Sequence, residues 1–295
     1  SKLGEPPATV STQTAGGEGF VGAWTAAAAA VPTTVKPLRS PATPPTPAGE
    51  ATPRTRAARS RLAQMRLSAI GSRLSKKYFY KMGDDLRADQ ATMLLLREMN
   101  AIWAQAGARC FTCTYDIFPT SPRAGFIEAL HNAVAVRDVE SFTYSRELHD
   151  SAVGAFTAGF VMGLADRHQD NMLLCGSNRE LFAHIDFGYV AGSRPWFDAN
   201  LLPIPERFKK CLTAAGHWAA FVNDMGFAFA VLQQRRSELC TVAAALSEPL
   251  ASVGYPAYIE KTLATNTIES VRAQVESAVG DIARRFKNLH HNLQH

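Results

Sequence analysis

The hydrophobic pattern of the chain changes near residue 75. Just beyond it, Lys77-Tyr-Phe-Tyr-Lys81 is short and aromatic-rich, the composition of a strand, since aromatic side chains fit a pleated surface. After Gly83-Asp84-Asp85, apolar Leu95, Met99, Ile102 and Trp103 recur at helical spacing. Gly107 suits the C-terminal stop of that helix. Residues 111–117 and 125–131 are predicted as further strands, and 151–164 as a helix. Met172-Leu-Leu-Cys175 and the run 181–187 are strand-like, and Gly176-Ser-Asn-Arg179 between them has turn chemistry, so a hairpin is expected. From Pro205 onward helical signals dominate. Strands first and helices later predict an α+β protein in two lobes. No internal repeat is visible.

The first 74 residues read differently. Nine of the sixteen prolines lie before Arg54, among Thr, Ala, Ser and Gly. Each ring removes a donor and fixes φ, so 40–57 is expected to be a flexible insertion and 1–17 a loose terminus. Between residues 51 and 83 there is no acidic residue, while six arginines and three lysines supply nine positive charges. That run is read as a solvated basic tether; the sharper alternative is a segment lying against acidic phospholipid or nucleic acid. Tether is preferred because no aromatic residue interleaves the arginines before Tyr78.

Composition narrows the classes. Of 295 residues, 46% are hydrophobic and 19% charged, enough for a real core, so full disorder is excluded. No run of eighteen apolar residues occurs, so no membrane span is expected. Five scattered cysteines do not make a disulfide framework, and Cys110-Phe-Thr-Cys113 has no second pair to complete a zinc site. The net charge of +5 is a mild bias toward anionic partners. Ser1-Lys2-Leu3 carries neither an initiator Met nor a signal sequence, so a fragment in a reducing, intracellular compartment is expected.

One stretch carries the chemistry: Gly163-Leu-Ala-Asp-Arg-His-Gln-Asp-Asn-Met172, the hairpin, then His184-Ile-Asp-Phe-Gly188. Phosphoryl transfer needs a carboxylate to hold magnesium, an amide or carboxylate to complete the metal shell, a group to orient the attacking hydroxyl, and a lysine against the phosphate oxygens. Asp186, at a strand end where the chain must turn, suits the first task. Asn171 can return to the same point across the hairpin, and Asp166 and His168 lie where a base belongs. Which of those two is the base stays open; a neutral imidazole can accept a hydroxyl proton near pH 7.

These motifs resemble the catalytic domain of the phosphatidylinositol 3-/4-kinase superfamily, whose catalytic loop reads Asp-Arg-His. A second block, Tyr80-Lys81-Met-Gly-Asp-Asp-Leu-Arg-Ala-Asp89, is similar to the family's lysine motif. The likeness covers roughly 75–286 and implies a protein-kinase-like fold: a small β-rich lobe over 75–130 and a mainly helical lobe over 131–295. Catalytic loop 163–173, Asp-Phe-Gly 186–188 and activation loop 189–205 fall in the second lobe. It further implies ATP and Mg2+ as cofactors, with Mn2+ as the alternative metal. Lys81 would contact phosphates, with Asp89 anchoring it. Glu128, Ala129 and Leu130 would pair with adenine, Tyr115 would lie behind it, and Leu173 and Ile185 would form the apolar floor. Val31-Pro-Thr-Thr-Val-Lys-Pro-Leu38 is a weak match to the phosphate-covering loop.

The implied function is phosphorylation of phosphatidylinositol, at the 3-position because Tyr189 and the helix 151–163 look closest to that branch. The alternatives are a 4-kinase, a protein Ser/Thr kinase of the same superfamily, or an inactive scaffold. The activation loop holds a single arginine, Arg194, too few for a highly phosphorylated headgroup. Trp196 would either dip into the membrane interface or pack the loop. The implied partners are a phosphoinositide lipid at a cytosolic membrane face and a regulatory subunit, with no nucleic acid. Arg167 is expected to be a structural anchor and His184 a packed core histidine; His131, His149 and His217 have no partner that sequence reveals.

Overall fold

The computed structural model describes residues 76–195, 202–247 and 254–278. The proline-rich segment, the phosphate-covering candidate 31–38, most of the basic run, Trp196 and the last seventeen residues lie outside the described residues. Strand β1 (Tyr78–Met82) leads to helix α1 (Arg87–Gln105) and then to strands β2 (Ile117–Ser121) and β3 (Ala124–Glu128). These three strands form one antiparallel sheet in the order β1-β3-β2, with Tyr78 opposite Glu128 and Lys81 opposite Gly125. Gly125 is required there: a Cβ would come within 2.6 Å of the Phe118 carbonyl and 2.9 Å of Leu86. The face carrying Ile117 and Ile127 packs on α1, whose Met93, Leu95, Leu96, Met99, Ile102 and Trp103 are all buried.

A second antiparallel sheet joins β4 (Val134–Ala135), β5 (Met172–Cys175) and β6 (Leu181–His184) in that order. Between β4 and β5 lies α2 (Arg146–Met162), buried from Leu148 to Met162 and packed against β6. Ser145 caps α2 by accepting the Leu148 N–H at 3.0 Å, and Gly163 ends it with φ 63°. Helices α3 (Glu206–Ala214), α4 (Trp218–Gln234), α5 (Arg236–Ser247), α6 (Tyr255–Thr265) and α7 (Ile268–Ala278) follow. α4 packs on both α2 and α7, and Trp103 of α1 donates to the Ala228 carbonyl of α4 at 2.9 Å. The protein is α+β.

Two expectations need correction. Residues 111–116 are not a strand. Phe111 N–H bonds to Asp150 O, while Thr112 exchanges two hydrogen bonds with the Asn100 side chain, so this segment is tied to α2 and α1 rather than to a ladder. α2 also begins five residues before Ser151, because its polar first turns find partners: Arg146 pairs with Asp150 at 2.8 Å and His149 Nε2 with Asp224 at 2.8 Å. His217 stacks on Tyr144 with ring centroids 4.1 Å apart. His184 is buried edge-on against Phe156 and Phe182.

Candidate functional site

The hairpin does what its turn chemistry predicts: Met172 pairs with His184 and Cys175 with Leu181. One step beyond the ladder, Ile185 N–H donates to the Asn171 carbonyl at 3.1 Å, which sets Asn171 beside the entrance to Asp186-Phe187-Gly188. Asn171 spends its Nδ2 on the Asp166 carbonyl at 3.0 Å, so its Oδ1 is the atom left to accept or coordinate. Asp166 and Asp186 both adopt left-handed backbone, φ 56° and 58°, a region that non-glycine residues enter at a cost and that clusters at functional sites.

Arg167 holds these two turns together. Its guanidinium donates to the Ala165 carbonyl at 2.8 Å, to Ile185 at 2.5 Å, and to the Asp186 carbonyl, and it lies over the Phe187 ring at 5.7 Å. Buried and committed to backbone, it matches its expected role as an anchor. His168 opens a single 3₁₀ turn, Gln169–Asn171, by accepting the Asp170 N–H on Nδ1 at 3.3 Å. A neutral ring in that arrangement carries its proton on Nε2, which faces Asp166 Oδ2 at 4.0 Å. Buried Asp170, which sequence reasoning did not single out, is paired with Arg137 at 3.1 Å.

Lys81 comes in from β1. Its Nζ lies 2.6 Å from Asp84, so the carboxylate at ion-pair distance is one the motif contained but to which no role was given. Burial works against the charge on Lys81, but Asp84, together with Asp186 and Asp89, outweighs it and raises the pKa above the ordinary lysine value. Asp89, expected to anchor that lysine, acts on it through its charge, and its own Oδ1 accepts the Phe187 N–H at 3.3 Å. Burial pushes the Asp89 carboxyl up to about 7, against the pull of Lys81 and with the charge of Asp186 adding to the rise. Lys81, Asp84, Asp89 and Asp186 therefore sense one another.

Tyr115 is buried behind this cluster, and burial, followed by the charges of Asp89 and Asp186, holds its phenol well above the usual range. Leu173 and Ile185 are fully buried. The Glu128 carboxylate turns away to the Asp116 N–H at 2.9 Å and Lys76 at 3.0 Å, and Ala129 N–H is taken by the Lys77 carbonyl at 2.8 Å. Leu130 packs partly buried on the core. Arg194 is exposed, just beyond a turn closed by Ser193 N–H on Val190 O at 2.9 Å.

The stretch after Asp-Phe-Gly is zipped to the catalytic loop, Ala165 N–H to Tyr189 O and Ala191 N–H to Met162 O, both at 3.0 Å. Over this zipper lies Tyr258 of α6: a Cβ on Gly163 would come within 2.5 Å of its ring, and one on Gly192 within 3.1 Å. One turn earlier, the Tyr255 hydroxyl meets Thr92 of α1 at 2.5 Å. Neither tyrosine was singled out from sequence, where the only available signal was the pair of glycines.

Comparison with known proteins bears on this arrangement. Residues 75–148 match the family model described as phosphatidylinositol 3- and 4-kinase. Over that region the chain is similar to phosphatidylinositol 3- and 4-kinases. A human relative, phosphatidylinositol 4-phosphate 3-kinase C2 domain-containing subunit beta, is 29% identical over 148 residues, 41% of this chain and 9% of its own length. The mouse phosphatidylinositol 3-kinase C2 domain-containing subunit gamma is 28% identical over 145 residues, 40% and 10%. Bovine phosphatidylinositol 4-kinase beta is 31% identical over 137 residues, 39% and 16%. The chain thus spans about a tenth to a sixth of the length of these curated relatives.

Proposed function

We propose that this chain is the catalytic part of a two-lobed, ATP- and Mg2+-dependent lipid kinase that phosphorylates an inositol-ring hydroxyl of phosphatidylinositol. The observation that carries the reading is the convergence of Lys81, Asp84, Asp89 and Asp186 beside Asn171 and Asp166, a cationic amine facing oxygen donors. The donor set fits a hard divalent cation: the Asp186 carboxylate and Asn171 Oδ1 would hold Mg2+, which when bound offsets the negative charge of the phosphates. Lys81, kept protonated by its acidic neighbours, would exchange Asp84 for phosphate oxygens. The buried Leu173, Ile185 and Tyr115 would border the adenine, read by backbone at 128–130. Asp166 Oδ2 would take the inositol proton as the ring oxygen attacks the γ-phosphorus and ADP leaves, with the His168 Nε2–H steadying the carboxylate.

The 3-position rests on Tyr189 and α2, and a lightly charged headgroup on the lone Arg194; Trp196 belongs to the same expected loop. Relatives named for 3-kinases and for a 4-kinase match at similar identity, so a 4-kinase is the second reading. A cytosolic membrane face and a regulatory subunit complete the proposal. The test offers radiolabelled ATP with phosphatidylinositol vesicles and with a protein mixture, and resolves lipid products by headgroup isomer. Label on 3-phosphorylated lipid is expected, and Asp186→Asn is expected to lower it at least about 10²-fold with circular dichroism unchanged. Full turnover in that variant, or label on protein alone, would overturn the reading.

A further inference from the structure

The stretch expected to meet the substrate, 189–205, stands on two feet. Its near end is zipped to the catalytic loop by backbone bonds from Ala165 and Ala191. Its far end, Leu202-Pro-Ile-Pro205, is buried and runs into α3. There Phe208 is fully buried, with Phe142 at 5.4 Å and Phe221 at 5.5 Å between ring centroids. Arg207, on the first turn of the same helix, reaches back toward the chemistry. Its guanidinium donates to the Val139 carbonyl, to the Val136 carbonyl at 3.1 Å and to Gln169 Oε1 at 2.7 Å. Gln169 is the first residue of the 3₁₀ turn that ends at Asn171.

Seating α3 does not require these bonds. Phe208 and Leu212 already hold the helix in the core, each fully buried side chain contributing roughly 1.5–3 kcal/mol. What Arg207 adds is a link between segments: the 3₁₀ turn Val136–Asp138, the catalytic loop and the far foot of the substrate stretch. A separate ion pair joins the first two of these, Arg137 to buried Asp170 at 3.1 Å. The planar guanidinium fork can grip two carbonyls and an amide oxygen together, whereas a lysine offers only a point charge. Hydrogen bonds from a charged donor are the stronger kind, and this one holds the side chain two positions before Asn171. A shift of the far foot therefore reaches the residue proposed to hold metal. It also reaches His168, whose carbonyl accepts the Asn171 N–H at 3.1 Å.

We propose that Arg207 is a positioning residue: through Gln169 it ties the far end of 189–205 to the catalytic loop, so that a substrate held by that stretch keeps one register with the groups at 166–171. What the stretch holds rests on the kinase reading; the tie itself does not. Gln169→Leu is the informative variant, since it cuts the tie and leaves Arg207 on its two carbonyls. In the full chain, amide hydrogen exchange read by mass spectrometry is expected to become about tenfold faster over 168–172, the scale of one lost bond to a charged group, with 208–214 at the parent's rate. Gln169→Glu, which keeps an acceptor for the guanidinium, is expected to restore the parent's rate. With phosphatidylinositol vesicles and ATP, Gln169→Leu should lower kcat several-fold at unchanged KM for ATP, since Lys81 and 128–130 lie on or beside the first sheet. Parent exchange rates in Gln169→Leu, no rescue by Gln169→Glu, or a rise in KM for ATP matching the fall in kcat would each overturn the proposal. A parent chain that phosphorylates no lipid would overturn the kinase reading alone, and the exchange measurement would then decide the tie.

Discussion

Along β1 the side chains alternate between exposed and half-buried, whereas in β5 and β6 seven of eight positions are buried. Among the described residues the first sheet packs on α1; the second lies in the core, with α2 against β6. That difference decides how each sheet can hold a functional group. Lys81 sits on the half-covered sheet, and its partner Asp84 is largely exposed, so the amine can change partners at little cost. Asp186 leaves a sheet buried on both faces through a left-handed turn held by Arg167, so its position is fixed. A movable cation opposite a fixed carboxylate suits a site that must admit and release a triphosphate.

The largest effect that would break this comparison is a core truncation. Phe182→Ala in β6 is expected to cost about 3–5 kcal/mol, because the ring is fully buried against Phe156. Phe126→Ala on the first sheet should cost less than half as much. Urea denaturation of both variants checks this, and equal losses would show that the two sheets are equally covered. The next effect concerns the fixed turn. Arg167→Lys keeps a charge but loses the planar fork that reaches three carbonyls, and should cost about 2 kcal/mol. A stability within 0.5 kcal/mol of the parent protein, about the scatter for ordinary surface changes, would mean the turn holds itself.

The same contrast explains what could be read in advance. β1, the hairpin of β5 and β6, and α1 were legible because local pattern and tertiary environment agree there: aromatic alternation, turn residues, helical spacing and a terminal glycine. Residues 111–117 also alternate, but Asn100 and Asp150 take up their backbone groups, and a partner from another helix leaves no trace in local pattern. The start of α2 was missed for a related reason. Glu147, His149 and Asp150 look like loop residues until Asp224 and Arg146 supply partners. At the site, the residue types announced the chemistry, while Asp84 against Lys81, Asp170 against Arg137 and Tyr258 over two glycines depend on geometry that only the fold provides.

At neutral pH the smallest expected effect concerns the polar residue at the end of the buried sheet. His184 is shut among Phe156 and Phe182, and burial, with the charge of Arg167 adding to it, pushes its pKa down to about 3. An unfolded chain would give it an ordinary value near 6.5. Because the folded value is the lower one, the unfolded state binds the extra proton first. The contribution of His184 is therefore complete above about pH 6.5 and is lost progressively as pH falls toward 3, at up to about 1.4 kcal/mol per unit. His184→Leu, of similar volume, removes the titration and leaves the other groups in place. Urea denaturation of parent and variant at half-unit steps from pH 7 to 4 should show the parent losing stability more steeply, with the two curves parallel above pH 6.5. Parallel curves across the whole range would mean that His184 is protonated as readily in the fold as outside it, and that the second sheet admits water as the first one does.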